Sequence, residues 1–190
     1  MSTTSSQTDR SLPIWWVIAT IVGWAIGFWV CEAIKPFLYD ITHLGGDGLV
    51  IGASIGITQG ILVSRHRIAS FGAWLVISSI GFGLGKFIGE AVTAGLPATV
   101  SHVLTGAVIG ASIGVAQWLL LRTPGLSRTG WWLVANMAGW AVAWSLISLA
   151  EDSETWSMPM VYLLGGLGAG VAGILTGMAL GRMSQPQPAQ

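Results

Sequence analysis

The sequence predicts an all-α membrane protein with six transmembrane helices, arranged as three tandem helical hairpins. Charged residues make up only 8% of the chain and apolar residues 53%, whereas soluble domains contain about 25% charged residues. Apolar runs recur along the chain, each close to the ~20 residues that a helix needs to cross a bilayer. Landmark residues also recur with a period of 58, namely Trp16, Trp74 and Trp132, and Gly23, Gly81 and Gly139.

This repeat defines the domain organisation. The segment Val-Ile-Gly-Ala-Ser-Ile-Gly at 50–56 returns unchanged at 108–114, and a weaker third copy at 166–172 keeps Gly168 and Ala169 in register. Each copy contains two apolar runs, so it crosses the membrane and returns. We therefore expect one six-helix transmembrane domain over 13–182, with repeats at about 13–70, 71–128 and 129–182.

Six predominantly apolar segments provide the spans, two of which, 14–34 and 71–94, contain ionisable residues. In chain order they are 14–34, 48–64, 71–94, 103–121, 129–150 and 160–181. Pro13 stands in a first helical turn, where proline is tolerated, and the remaining prolines before residue 160 are assigned to connections. Residues 1–12 are rich in Ser and Thr and residues 183–190 in Pro and Gln, so both are expected to be disordered tails.

The charges are distributed asymmetrically along these spans. All six arginines are placed at one set of helix ends: Arg10, Arg65, Arg67, Arg122, Arg128 and Arg182. Acidic residues occupy the opposite loops: Asp40, Asp47, Glu151, Asp152 and Glu154. The positive-inside rule then predicts a multi-pass protein of the inner (plasma) membrane with both termini in the cytoplasm. Tryptophans at the same ends are expected to form an interfacial belt: Trp15, Trp16, Trp74, Trp131 and Trp132.

Small residues indicate how the hairpins pack. Glycines recur at spacing four on the second, fourth and sixth helices, most clearly Gly52 and Gly56, Gly110 and Gly114, and Gly173 and Gly177. Glycine ridges allow close backbone approach, on which helix association in lipid depends. We expect a pseudo-threefold bundle with these even-numbered helices back to back at the centre and the Trp-rich odd-numbered helices outside.

Lys86, Glu90 and Glu32 form the first part of a candidate intramembrane polar site. Lys86 and Glu90 lie within one span, four residues apart, and are interpreted as an ion pair facing the bundle. The repeat matches Glu90 with Glu32 but matches Lys86 with Phe28 and Trp144. A structural pair that sets helix register and a substrate or proton site are the two interpretations left open.

Gln59 and Gln117 complete the candidate site. They are equivalent in the repeat, and a spacing of 58 matches them with Leu175 in the third copy. Buried amides commonly hydrogen-bond between helices, which is the favoured interpretation here. No metal ligand set, nucleophile–base motif or phosphate-binding loop is present in the sequence, so we expect no cofactor, metal or enzymatic activity.

The paired motifs resemble those of a known group of proteins. The pattern I-G-A-S-I-G-x-x-Q occurs at 51–59 and 109–117, and W-W-x-x-x-x-x-x-G-W occurs at 15–24 and 131–140. Over nearly the whole chain this is similar to uncharacterised prokaryotic multi-pass membrane proteins. The resemblance implies an integral membrane protein and assigns no activity.

Two classes of function therefore remain. The first is a structural or accessory membrane component, or a binder of an apolar ligand such as a lipid, quinone or pigment. The second is a small-solute or ion transporter or channel that uses Glu32, Lys86 and Glu90. Expected partners are the lipid bilayer, and beyond it other membrane proteins or a second copy of the chain. A net charge of zero gives no electrostatic reason to expect a nucleic-acid partner.

Overall fold

A computed structural model describes residues 11–37, 46–122, 130–151 and 158–183. These residues form six α-helices, α1 Leu12–Ile34, α2 Asp47–Arg65, α3 Phe71–Thr93, α4 Ala98–Leu121, α5 Gly130–Glu151 and α6 Met158–Met183. Each is long and apolar enough to cross a membrane. The prediction of an all-helical, multi-pass membrane protein with six spans is confirmed. The predicted tail residues 1–10 and 184–190 lie outside the described residues.

Local sequence signals account for several helix ends. Pro13 lies in the first turn of α1, where its missing N–H costs no helical hydrogen bond. Ser70 caps α3, its hydroxyl accepting a hydrogen bond from the Ala73 backbone N–H at 3.2 Å. In the short α3–α4 connection Gly95 has φ +84°, a left-handed conformation that favours glycine. Pro159 was assigned to a connection but lies within the first turn of α6.

The helices form a closed ring. Each packs against its neighbours in the chain, and α6 packs back against α1. Within the described residues, every helix pair with more than marginal contact belongs to this ring. The expectation that α2, α4 and α6 lie back to back at the centre is therefore wrong. Odd-numbered and even-numbered helices alternate around the bundle axis instead.

The reason is that both sets of helices carry glycines at their crossings. A Cβ added to Gly52 of α2 would lie 2.6 Å from Phe82 Cβ of α3, and one on Gly110 of α4 would lie 2.3 Å from the Asn136 carbonyl oxygen of α5. In the other direction, Gly81 of α3 would place a Cβ 3.1 Å from Ile113 Cα of α4. Gly52 and Gly110 thus contact the next hairpin, whereas Gly81 contacts the other helix of its own hairpin.

The six glycines singled out for packing all lie at such crossings with odd-numbered helices. Gly52 and Gly56 face α3, Gly110 and Gly114 face α5, and Gly173 and Gly177 face α1.

Three tryptophans meet on the bundle axis. Trp16, Trp74 and Trp132 are each 0% exposed, and their ring centroids are 5.8, 5.8 and 6.1 Å apart in edge-on contacts. We call them the tryptophan triad. Their predicted place in an interfacial belt is wrong, because these side chains point inward. The adjacent Trp15 and Trp131 are each 54% exposed.

A second aromatic cluster lies two turns further along the odd-numbered helices. It contains Trp24, Phe82 and Trp140, which are also related by the period of 58 and are all buried. Phe82 and Trp140 contact each other with centroids 5.0 Å apart. Because positions four and eight residues apart share one helix face, these odd-numbered helices direct one face at the axis over two turns.

The third even-numbered helix is displaced by one residue relative to the period. Gly27 and Gly85 approach Ile51 and Ile109, whereas their counterpart Ala143 lies against Gly168, one residue beyond the position that a spacing of 58 specifies. The assignment of 166–172 as a copy with Gly168 and Ala169 in register is therefore wrong. A crossing requires a small residue on one helix, and this requirement, rather than the fixed spacing, sets the register.

Candidate functional sites

Lys86 joins two helices through two carboxylates. Its Nζ contacts Glu90, one turn further along α3, and lies 3.1 Å from Asp47 Oδ2 in the first turn of α2. Gly48 leaves room for the lysine, since an added Cβ there would lie 3.2 Å from Lys86 Cβ. The lysine side chain is 14% exposed, whereas that of Glu90 is 48% exposed. The Asp47 side chain is less exposed than that of Glu90, so Asp47 is the more buried of the two partners of Lys86.

Glu32 does not join this group. Its carboxylate pairs with Lys35 one turn further along α1. The residue that does approach from α1 is Cys31, whose thiol donates to the Asp47 carbonyl oxygen at 3.5 Å. Sequence reasoning missed Asp47, although its place at the start of a span, at the same end of the bundle as Lys86, was the available signal.

Gln59 and Gln117 lie inside the bundle, one helical turn from the tryptophan triad. Gln59 Nε2 donates to Thr20 Oγ1 at 3.0 Å, and Gln117 Nε2 donates to Ser78 Oγ at 2.9 Å. Both amides are buried and bond between the two helices of their own hairpin, as the favoured interpretation has it. The structure does not bring them together with Lys86 and Glu90.

The third hairpin contributes the matching pair Asn136 and Thr176. Asn136 follows Thr20 and Ser78 at the period of 58. Thr176 takes the place of the two glutamines, because α6 is displaced by one residue, so the match with Leu175 is wrong. We call these six buried residues the polar layer: Thr20, Ser78, Asn136, Gln59, Gln117 and Thr176.

Indole groups link the polar layer from one hairpin to the next. Trp74 Nε1 donates to Gln59 Oε1 of the preceding hairpin at 3.4 Å. Trp16 Nε1 donates to Thr176 Oγ1 at 2.9 Å and so joins the first hairpin to the third. These hydrogen bonds span the ring-closing contact as well as an internal one, which favours this one cyclic order of helices.

The polar layer surrounds a small cavity of about 10 Å³. Its walls come from the polar layer, from Trp16 and Trp132 of the tryptophan triad, and from Phe82 and Trp140 of the second aromatic cluster. None of the residues lining it is charged. Glu32, Lys86 and Glu90 therefore do not share a cavity at the centre of the bundle.

A groove between α3 and α4 lies on the outer surface and has a volume of about 510 Å³. Its walls carry exposed branched side chains, among them Ile80, Leu84 and Leu119. Small residues, including Gly81 and Ala116, also line it. This α3–α4 groove opens where the bilayer would lie, because both helices are spans.

Ala116 explains why the α3–α4 groove is larger than the corresponding hollow between α5 and α6. Its counterparts are Thr58 in the first hairpin and Leu175 in the third, allowing for the displacement of α6. Thr58 fills its position by donating from Oγ1 to the Ala19 carbonyl oxygen at 2.7 Å. Leu175 lines a smaller hollow of about 170 Å³ between α5 and α6.

No group of three or more His, Cys, Asp or Glu side chains suited to a metal ion occurs within the described residues. No protein-family model, curated protein or solved structure matches the chain. The α3–α4 groove, the polar layer and the Lys86 group are therefore the features from which function has to be inferred.

Proposed function

We propose that this protein is a structural or accessory membrane component that binds an apolar ligand, such as a lipid, quinone or pigment, in the α3–α4 groove. The groove itself carries the proposal. Its volume of about 510 Å³ falls within the ~300–1,000 Å³ of ordinary ligand sites, which are lined mainly by apolar side chains. A ligand that is already dissolved in the bilayer reaches this groove without crossing water.

The proposal includes a pseudo-threefold arrangement of the hairpins about an axis along the membrane normal. Three observations support it: the nearly equal spacings of the tryptophan triad, the equivalent hydrogen bonds of Gln59 and Gln117, and the alternating ring of helices. On the basis of the repeated motifs, we also propose that the chain resembles uncharacterised prokaryotic membrane proteins. We further propose that the protein acts by binding rather than by catalysis.

We also propose that both termini face the cytoplasm from the inner (plasma) membrane. The ends of α2, α4 and α6 carry Arg65, Arg122 and Arg182, and α2 begins at Asp47 at the other end of the bundle. Lys/Arg enrichment at one set of ends supports the cytoplasmic assignment of that side.

Transport through Glu32, Lys86 and Glu90 is the second candidate. A path would need these groups to share an enclosed polar space, whereas Glu32 pairs with Lys35 and the central cavity has uncharged walls. Lys86 is instead held between two carboxylates at one end of α3. The geometry therefore favours the binding function.

The test is to identify what co-purifies from native membranes with the wild-type protein and with Ala116→Leu. The leucine places in the second hairpin the side chain that the third hairpin carries naturally at Leu175, and should fill the groove without disturbing the fold. Ala33→Leu is the matched control, because Ala33 is exposed on α1, far from the groove in the ring.

Mass spectrometry of extracted small molecules and an absorption spectrum are the measurements. We expect an apolar molecule bound in a fixed ratio to the wild type and to Ala33→Leu, and lost from Ala116→Leu. Equal retention by all three proteins, or no stoichiometric ligand on any of them, would contradict binding in this groove.

A further inference from the structure

Trp132 breaks the pattern of the polar layer. Its side chain is 0% exposed, yet within the described part of the chain its indole Nε1 has no hydrogen-bond partner. The other two members of the tryptophan triad donate to Thr176 and Gln59. By the same repeat, the acceptor for Trp132 should come from Gln117. Burying an N–H group without a partner costs free energy, so the missing acceptor for the Trp132 indole requires an explanation.

The unpartnered indole lines the central cavity. Trp132, Gln117 and Asn136 all contribute to its walls, and its volume is about 10 Å³. A buried water needs a space of ~10–15 Å³ and two to four polar partners. The cavity therefore has the size of one water molecule and lies where the third hydrogen-bonded link is missing.

Local hydrogen bonds show which groups remain for such a molecule. Gln117 Nε2 donates to Ser78, and an amide whose nitrogen donates keeps its carbonyl oxygen as an acceptor. Asn136 Nδ2 donates to the Trp132 carbonyl oxygen at 3.0 Å, which likewise leaves its side-chain oxygen as an acceptor. The residues that line the cavity thus provide one indole donor and two amide acceptors.

The chemistry of these groups selects a neutral molecule that both accepts and donates hydrogen bonds. A cation would meet the indole N–H, whose hydrogen carries partial positive charge. An anion would find no compensating charge, since the walls are uncharged. Anything much larger than water would not fit.

We propose that one water molecule is bound in the central cavity, accepting a hydrogen bond from Trp132 Nε1 and donating to the side-chain oxygens of Gln117 and Asn136. The water completes the ring of polar links. At the other two contacts between hairpins, the indole N–H donates directly to a side chain of the polar layer. It supplies the link between the second and third hairpins. The site is independent of the α3–α4 groove.

Solution NMR of the full chain in lipid nanodiscs tests this proposal. The tryptophans carry ¹⁵N in the indole ring, the rest of the protein is deuterated, and Trp→Phe variants assign the Trp132, Trp74 and Trp24 signals. We expect a cross-peak between the Trp132 indole proton and a long-lived water. Trp74, which donates directly to Gln59, should show no such signal.

Trp24 is the matched control. Its indole Nε1 is also buried and has no hydrogen-bond partner among the described residues, but Trp24 does not line the cavity. A water signal of equal strength at Trp24 and Trp132, or none at Trp132, would overturn the proposal. Gln117→Met removes one water acceptor at similar side-chain volume and should abolish the Trp132 water signal. Its persistence at full strength would also overturn the site as described.

Discussion

At the scale of single residues, Lys86 shows how a buried charge acquires its role from a neighbouring helix. The lysine could reach Glu90 on its own helix in any fold. Its contact with Asp47 at 3.1 Å exists only because α2 and α3 cross with Gly48 at the contact. Since Asp47 is less exposed than Glu90, the pair between helices should matter more for stability than the pair within α3.

Lys86→Met is therefore expected to lower the free energy of unfolding by ~1–3 kcal/mol, the usual cost of leaving a buried polar group without its partner. The measurement is thermal or denaturant unfolding in detergent. Adding Asp47→Asn to Lys86→Met should recover much of the loss, because it removes the more buried of the two carboxylates left without the lysine. Glu90→Gln is the control and should change stability by less than ~1 kcal/mol, as exposed pairs do.

A double variant less stable than Lys86→Met alone would contradict a structural role for the Lys86–Asp47 pair. If instead the group served transport, the double variant would fold normally and lose flux in proteoliposomes.

Gln59 of the polar layer, like Lys86, is a buried polar side chain with at least one partner on another helix. Its amide both donates to Thr20 and accepts from Trp74. Gln59→Leu should destabilise the protein by ~1–3 kcal/mol, because it leaves the buried Trp74 N–H unsatisfied. Gln59→Leu combined with Trp74→Phe should be destabilised by less than the sum of the two single changes. Strict additivity in detergent unfolding would mean that the two side chains do not interact.

At the scale of helices, the crossings depend on how close a backbone can approach. A Cβ at Gly106 or Gly110 would lie 2.3 Å from a carbonyl oxygen of α5, so the backbone itself would have to move. At Gly56 and Gly114 the nearest atoms are 3.1 Å away, and a methyl group could be accommodated by smaller shifts. At Gly106 and Gly110, where α4 crosses α5, the neighbouring backbone therefore lies closer than the nearest atoms do at Gly56 and Gly114.

Gly110→Ala should accordingly destabilise the protein by ~1–3 kcal/mol, the typical cost of overpacking. Gly166→Ala is the control, because nothing lies within 4 Å of its added Cβ, and it should be neutral or slightly stabilising through helix propensity. Unfolding temperatures in one detergent compare the two. Equal effects at both positions would show that the α4–α5 crossing does not require glycine.

Larger side chains test the same interfaces more severely. Gly56→Leu and Gly114→Leu should damage folding far more than a leucine at a lipid-facing site of an odd-numbered helix, such as Val142→Leu. A branched side chain would separate the helices and remove dispersion contacts along the crossing. Unchanged thermal stability in both glycine variants would contradict the observed crossings.

At the scale of the whole molecule, the six helices of the ring place their ends at two opposite ends of the bundle. The starts of odd-numbered helices and the ends of even-numbered helices meet at the tryptophan triad, where Leu12, Val63 and Leu121 share one cluster with it. The described arginines lie at the same end of the bundle as that cluster, at Arg65, Arg67, Arg122 and Arg182. The bundle thus has one basic end.

Topology reporters should place that end in the cytoplasm. Tags after Arg10, in the 65–70 and 122–129 connections and after Arg182 are expected to report a cytoplasmic location, because positive residues are retained on that side. Tags in the 36–46 and 151–159 connections should report an external location. A cytoplasmic signal from the 151–159 connection would reverse the orientation.

The number and nature of the spans could be read from the amino-acid sequence alone. Length, apolarity and the low charge content act locally, since a helix in lipid satisfies its backbone hydrogen bonds within itself. The period of 58 likewise marked Trp16, Trp74 and Trp132 as equivalent positions, although it did not predict that their side chains meet. It also placed Gln59 and Gln117 at equivalent positions, where both make the hydrogen bonds between helices that buried amides favour.

The tertiary structure alone decided which way those residues face and what they touch. Glycines on both sets of helices made several packings possible, and only the closed ring distinguishes an alternating bundle from one with even-numbered helices at its centre. Whether Trp16 faces lipid or the bundle axis depends on how its helix is rotated about its own long axis. Whether Thr176 or Leu175 replaces the glutamines likewise depends on a rotation of α6 that corresponds to one residue. Such rotations leave composition and periodicity unchanged, so the complementary surface of the neighbouring helix determines them.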